Sequence, residues 1–290
     1  MAKLEYTFKN DTLFKMLFVN NPDLLKKLVA ELLNTQLESI RQFEITNPEM
    51  PPEIIGSKFC RLDINMTLDG QQVDLELQVG DEGNFPERSL YYWAREYSTS
   101  LEKGKNYSAL PRTIIISIIG FNLFDCIEFH SEFQALEVTR HTLLTDKICL
   151  HYFELPKLPK EVAKDDELKL WLALFNAETE EDLNKIEGME VPVMEQAIDA
   201  YRKVTASNEF KEIERQRVYS LLNETYALNH AQEVERAKWQ GVVAEKDAAL
   251  VEKDAALAEN KAALAEKDAA LAEKDALITE LKARFGVEKQ

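Results

Sequence analysis

Apolar and polar side chains alternate with a period of two through residues 59–68 and 72–79. Cys60, Leu62, Ile64, Met66 and Leu68 share one face of the first run, and Val73, Leu75, Leu77 and Val79 one face of the second. Such alternation marks a strand with one face against a core. Between the runs, Asp69-Gly70 is a dipeptide favoured in two-residue hairpin turns, and that turn pairs residues whose numbers sum to 139. This register sets Asp63 across from Glu76, with Gln78, Asp74 and Asn65 along the same polar face. A slip of one residue would turn an apolar set outward, whereas a slip of two keeps the pattern.

The remaining elements come from longer periods. Asn10 or Asp11 caps a helix over 13–19, and Pro22-Asp23 opens another carrying Leu24, Leu25, Leu28, Val29, Leu32 and Leu33 at helical spacing. Residues 47–52 read as a loop. After a turn at 81–86, a helix over 86–103 has Leu90, Trp93, Ala94, Tyr97 and Leu101 as its core stripe, with Gly104 at its C-terminus. Residues 112–121 are a nearly continuous β-branched run, the mark of a central strand buried on both faces. Strands at 127–138 and 148–155 follow, and 161–240 is helical. The pattern predicts an α/β fold, a mixed central sheet flanked by helices, then a helical region and a heptad-repeat C-terminal helix. The corresponding domains are a core at 1–158, a helical extension at 159–240 and a tail at 241–290.

The tail repeats every seven residues, as AEKDAAL from Ala244, VEKDAAL from Val251, AENKAAL from Ala258, AEKDAAL from Ala265 and AEKDALI from Ala272. Period and composition predict one long helix, coiled-coil-like, that meets a second copy or a partner helix. An alanine-lined seam through Val251, Ala255, Ala258, Ala262, Ala265 and Ala269 makes a better core than a seam placing Asp254, Lys261 and Asp268 inside. The competing picture is a solitary charged helix held by intrahelical pairs.

Charge changes the picture of partners. The chain carries a formal net charge of −17, and from Ala244 onward eleven acidic and eight basic residues contribute only −3 of it. The body is therefore acidic, unlike a general nucleic-acid binder. Any DNA contact rests on a local basic strip and on a metal, and is weak and salt-sensitive. Cys60, Cys126 and Cys149 are scattered, without disulfide or zinc spacing, which predicts a reducing, cytoplasmic setting. The longest apolar stretch, 114–119, is too short to span a bilayer.

Two opposed carboxylates repel, and a divalent cation relieves the repulsion. Mg²⁺ is commonly held by one or two carboxylates with water and substrate phosphate completing an octahedron. Asp63 and Glu76 suit that role, with Asp74 and Asn65 able to add oxygen donors. A cation there could neutralise a scissile phosphate and activate water. The competing reading is a polar strand face that serves solubility alone. On the following helix, Arg88, Tyr92, Arg95 and Thr99 line up as a phosphate-facing strip, with Lys103, Lys105 and Arg112 adding positive charge, unless the arginines are ordinary solvated residues. His130, His141, His151 and His230 show no metal-ligand spacing, and His130 and His151 read as structural. No GxSxG, Walker A or GxGxxG motif occurs.

Taken in order, DTLFKMLF, RLDINMTLDGQQVDLELQV, ERSLYYWAREY, LEKGKNYSALPRTIIISIIGF and HYFELPKL resemble the Rpn family of recombination-promoting nucleases, transposases of the PD-(D/E)XK superfamily. The resemblance covers roughly residues 9–240. It implies a restriction-endonuclease-like core and Mg²⁺-dependent endonucleolytic cleavage of double-stranded DNA. It assigns Asp63 and Glu76 as the metal-binding acids and Gln78 as the residue standing where the superfamily usually has lysine. Glutamine can orient water or phosphate but cannot act as a base. Asp11 and Lys15 match the family's N-terminal motif, and Asp11 doubles as a candidate cap. The alternatives are a catalytically inactive nuclease fold acting as an interaction module through its C-terminal coiled coil, and an RNA-cleaving enzyme.

Overall fold

The computed structural model describes residues 2–47, 64–101 and 103–285. Two helices open the chain, α1 (Asp11–Asn20) and α2 (Pro22–Leu32). Asn10, rather than Asp11, caps α1: its side chain accepts from the Leu13 amide at 2.9 Å, satisfying one of the orphan donors of the first turn. Pro22 starts α2 where its missing amide costs nothing.

A six-stranded mixed sheet follows, with β1 (Phe43–Ile45), β2 (Ile64–Leu68), β3 (Gln71–Gln78), β4 (Thr113–Ile119), β5 (His130–Leu136) and β6 (Leu143–Glu154) in the spatial order β1-β2-β3-β4-β6-β5. The β2–β3 hairpin turns on Asp69 and Gly70, whose φ values of 48° and 79° are both positive, as a type I′ turn requires. Its pairs run from Leu68↔Gln71 to Ile64↔Leu75, the register expected from that turn. Asp69 also ties the turn to the preceding segment, accepting from the amides of Arg41 at 3.0 Å and Gln42 at 2.8 Å. β3, β4 and β6 are mutually parallel, and β4 is buried along its whole length. The helix α3 (Phe85–Thr99) lies between β3 and β4 in the chain.

The two faces of this sheet are unequal. Ile114, Ile116 and Ile118 of β4, with Cys149 and Phe153 of β6, belong to one large core that includes α1, α2 and the helices α4 (Glu167–Asn176), α5 (Glu180–Glu187) and α6 (Pro192–Ala206). Ile115, Ile119, Leu150 and Tyr152 face the other way and pack with Phe85 of α3 in a smaller cluster. The last helix, α7 (Asn208–Phe285), is continuous over 78 residues.

The chain forms two compact units, Met1–Leu221 and Leu222–Gln290. In the first, Trp171, Phe175, Tyr201 and Phe210 of the helical segment share one core with the sheet. In the second, Leu250, Leu257, Leu264 and Leu271 are all exposed.

Several expectations are corrected. The helix expected over 86–103 ends at Thr99, so Gly104 is not its terminal glycine. Its inward stripe is rotated: Phe85 and Ser89 are buried and Leu90 and Ala94 are exposed, because the Trp93 indole turns to donate to the Thr113 carbonyl at 3.1 Å. The strand expected at 127–138 is shorter, and the one at 148–155 begins earlier, at Leu143. β1 is an addition the pattern did not suggest.

Candidate active site on β3

Glu76 and Asp74 stand two residues apart on β3 and so share a face. In register, Glu76 lies beside Ser117 and Asp74 beside Ile115 of β4, which places both acids on the α3 side. That face is not solvated. Glu76 is 1% exposed and Asp74 7%, so the solubility reading of this polar face fails for both. Burying carboxylates is costly unless they are paired or hold a cation.

The helix overhead supplies a cation. Arg88 places Nη2 3.5 Å from Glu76 Oε1 and donates from Nη1 to Glu82 Oε2 at 2.9 Å, with its guanidinium 4.8 Å from the Phe85 ring centroid. At 3.5 Å the Glu76 contact is an ion pair at the edge of hydrogen-bonding range. Ser89 and Tyr152 hydroxyls meet at 2.5 Å under the same helix. Burial pushes the Tyr152 hydroxyl pKa above its ordinary value, the Ser89 hydrogen bond opposes this, and the charge of Glu76 raises it further.

Among the expected site residues, Gln78 is half-buried on β3 and donates from Nε2 to the Gly80 carbonyl at 2.7 Å, leaving its amide oxygen to face other donors. Asn65 lies directly across from Asp74. Asp63, the residue before Ile64, lies outside the described residues, as does Cys60. Arg88, expected on a phosphate-facing strip, points inward and is engaged by Glu76 and Glu82. Tyr92 is half-buried and Arg95, Thr99 and Lys105 are exposed. Thr99 donates its hydroxyl to the Arg95 carbonyl at 3.0 Å, a helix-internal bond.

The N-terminal pair lies on α1. Asp11 accepts from Arg217 of α7 at 2.6 Å, and burial raises its pKa while Arg217 opposes the rise. Lys15 is buried on α1. Asp11 therefore joins α1 to α7 and does not cap its own helix.

The pattern missed Ser117 as a neighbour of Glu76. A signal was present, since Ser117 is the one polar side chain inside the run IIISII. Its hydroxyl is buried with no hydrogen-bond partner among the described residues, and so is the Asn65 side-chain oxygen. Carboxylate, amide and hydroxyl oxygens are what a hard divalent cation accepts, so the residues present fit one.

A second cluster sits on the opposite face, also unsuspected. Cys149 Sγ lies 3.1 Å from His151 Nε2 and 3.4 Å from Glu132 Oε1, and His151 Nδ1 lies 3.0 Å from His130 Nε2. Burial lowers the His151 pKa to about 4 and raises that of Cys149 to about 11. The absence of ligand spacing along the chain concealed this group, which strand pairing assembles.

A mixed sheet with buried acids on an inner strand, beneath a helix carrying arginine, defines an α/β protein whose candidate chemistry lies on β3. The family model for PD-(D/E)XK nuclease family transposases matches residues 8–231, and the chain belongs to that family. No curated protein and no solved structure matches it. Family membership supports a nuclease-type function. No helix among the described residues is long and apolar enough to cross a membrane.

Proposed function

We propose that the protein is a Mg²⁺-dependent DNA endonuclease of the recombination-promoting, transposase type, working at the β2–β3 hairpin. The observation that carries this reading is Glu76, a carboxylate 1% exposed on an inner strand of a segment that matches the nuclease family. A buried acidic side chain with a specific charged partner, here Arg88, is a functional-site candidate. Asp63 adjoins Ile64 in the chain, and Ile64 pairs with Leu75 beside Glu76. Asp63 and Glu76 are assigned to hold the cation, with Asp74 as a further oxygen donor.

Bound there, Mg²⁺ would supply charge neutralisation for the scissile phosphate and a lowered pKa for attacking water. The side chains do the rest. Glu76 and Asp63 would hold the cation, and the Gln78 amide can orient water or a phosphate oxygen by hydrogen bonding. Arg88, held over Glu76, can turn one guanidinium edge to the phosphate, an exchange of carboxylate for phosphate that its planar fork suits. Arg95 and Lys105 supply exposed positive charge for the DNA backbone. Water attacks phosphorus and gives up a proton to solvent, the bridging P–O bond breaks, and the leaving oxygen takes a proton from solvent. The free thiols of Cys126 and Cys149 accord with a reducing compartment.

The test is supercoiled plasmid with Mg²⁺ at low and moderate salt, comparing wild type with Asp63→Asn and Glu76→Gln. Nicking by wild type that is lost in both variants is the expected result. A folded wild type that cuts neither DNA nor structured RNA overturns the reading. The second reading, an interaction module, is favoured by the exposed leucines of α7 and would then stand, with a second copy or a partner helix on the repeats.

A further inference from the structure

The cluster on the far face of β5 and β6 is built as a metal site would be. Glu132 pairs directly with His151 across the two strands, and Cys149 precedes His151 by two residues, so all three side chains share one face. His130, two residues before Glu132, shares it too. One carboxylate oxygen, one sulfur and one ring nitrogen lie within 4.8 Å of one another. A tetrahedral zinc with bonds of about 2.0 to 2.3 Å would hold its sulfur about 3.5 Å from a nitrogen or oxygen ligand. The separations of 3.1 Å and 3.4 Å from sulfur are close to that spacing before any ion enters.

From this geometry we infer that Glu132, Cys149 and His151 bind a divalent cation of the zinc class, at a site separate from the candidate nuclease centre. A thiol with an imidazole selects a softer ion than Mg²⁺. His130 acts behind the ligands: its ring contacts the remaining nitrogen of His151 at 3.0 Å and stacks on Phe153, with centroids 4.3 Å apart. It is a positioning residue that fixes which His151 nitrogen faces the metal. Binding takes the proton from the Cys149 thiol, forms the metal–sulfur bond and releases that proton to solvent. Three protein ligands leave a fourth position for water.

The site joins the edge strand to its neighbour. Among the described residues β5 pairs with β6 alone, and its register shifts between Phe133 and Ala135 and again before Leu136. A cation shared by Glu132 on β5 and by Cys149 and His151 on β6 pins the strand beside that irregularity.

The full-length chain, stripped with chelator, is titrated with Zn²⁺ and separately with Co²⁺. One equivalent of zinc retained after dialysis into Mg²⁺ buffer is expected, together with a near-ultraviolet sulfur-to-cobalt charge-transfer band. Cys149→Ser removes that band, whereas the paired Cys60→Ser, Cys126→Ser variant keeps it. Glu132→Gln changes an exposed side chain and so leaves the fold intact. It weakens zinc binding at least tenfold, and His130→Gln weakens it by about 10- to 100-fold. Glu76→Gln retains the zinc. Failure to retain metal, a band that survives Cys149→Ser, or affinity unmoved by Glu132→Gln overturns the proposal and leaves a hydrogen-bonded Cys–His pair.

Discussion

The two faces of one sheet bury polar groups by opposite means. On the α3 face, Glu76 and Asp74 are carboxylates brought under a helix whose Arg88 is shared with the exposed Glu82. On the other face, Cys149 and His151 are groups that are neutral at ordinary pH, satisfied by each other and by His130 and Glu132. Charge in a dry site carries a penalty that demands a cation, whereas a neutral thiol and imidazole can remain in place with hydrogen bonds alone. The first arrangement is answered in part by the Arg88 guanidinium, and the second by hydrogen bonds among its own members.

The largest expected effect breaks this contrast at Glu76. Glu76→Gln preserves shape and removes the charge, so plasmid cleavage should fall by about 10²-fold or more, while zinc retention is unaffected. Cleavage that persists at wild-type rate would show the buried charge to be structural. Packing separates the faces next. Ile116 lies in the large core and Ile115 in the small one. Truncating a buried isoleucine to alanine costs about 2 to 5 kcal/mol, and Ile116→Ala should sit at the upper end because more fixed helices surround its cavity. Denaturant unfolding of the two variants checks the order, and equal losses would mean that both faces relax alike.

A smaller effect concerns pH. Tyr201 on α6 is buried, donates to the Tyr6 carbonyl at 2.7 Å, and has its hydroxyl pKa pushed up to about 12, chiefly by burial. A raised phenol pKa means the fold prefers the neutral form. Its contribution is fully present below the ordinary value near 10 and is lost as pH rises toward 12. A shift of two units corresponds to about 3 kcal/mol at most. Tyr201→Phe should be less stable than wild type near neutrality, by about 1 kcal/mol for the lost hydrogen bond, and should lose less in strong alkali. Parallel losses for both proteins across that window would remove Tyr201 as the cause.

What the chain revealed in advance follows the same division. The β2–β3 register was legible because Asp69-Gly70 demands one turn type and alternation forbids a slip of one residue. The burial of Glu76 was not, since alternation identifies a second face without saying whether water or a helix covers it. The rotation of α3 is hidden for a related reason: the spacing of Leu90 suits a core stripe, but Ser89 and Trp93 have polar partners on the sheet, and those partners set the rotation. The Cys149 and His151 cluster was beyond reach because it depends on β5 pairing, whose bulged register no local pattern fixes. β1 is three residues long, too short to show a period.

The smallest predicted effect sharpens the comparison most. Ser117 is fully buried beside Glu76, and its hydroxyl has no hydrogen-bond partner among the described residues. A buried hydroxyl without a partner destabilises by its own desolvation, whereas an alanine of nearly the same shape does not. If the hydroxyl is kept for the chemistry of the α3 face, Ser117→Ala should hold or raise stability by up to about 1 kcal/mol while lowering cleavage, the trade expected where an active site carries strain. Thermal unfolding and plasmid nicking on one preparation decide it. A stability loss above about 1 kcal/mol would instead mean that Ser117 belongs to the packing of β4, with Glu76 and Asp74 left as the buried polar groups of that face assigned to the chemistry.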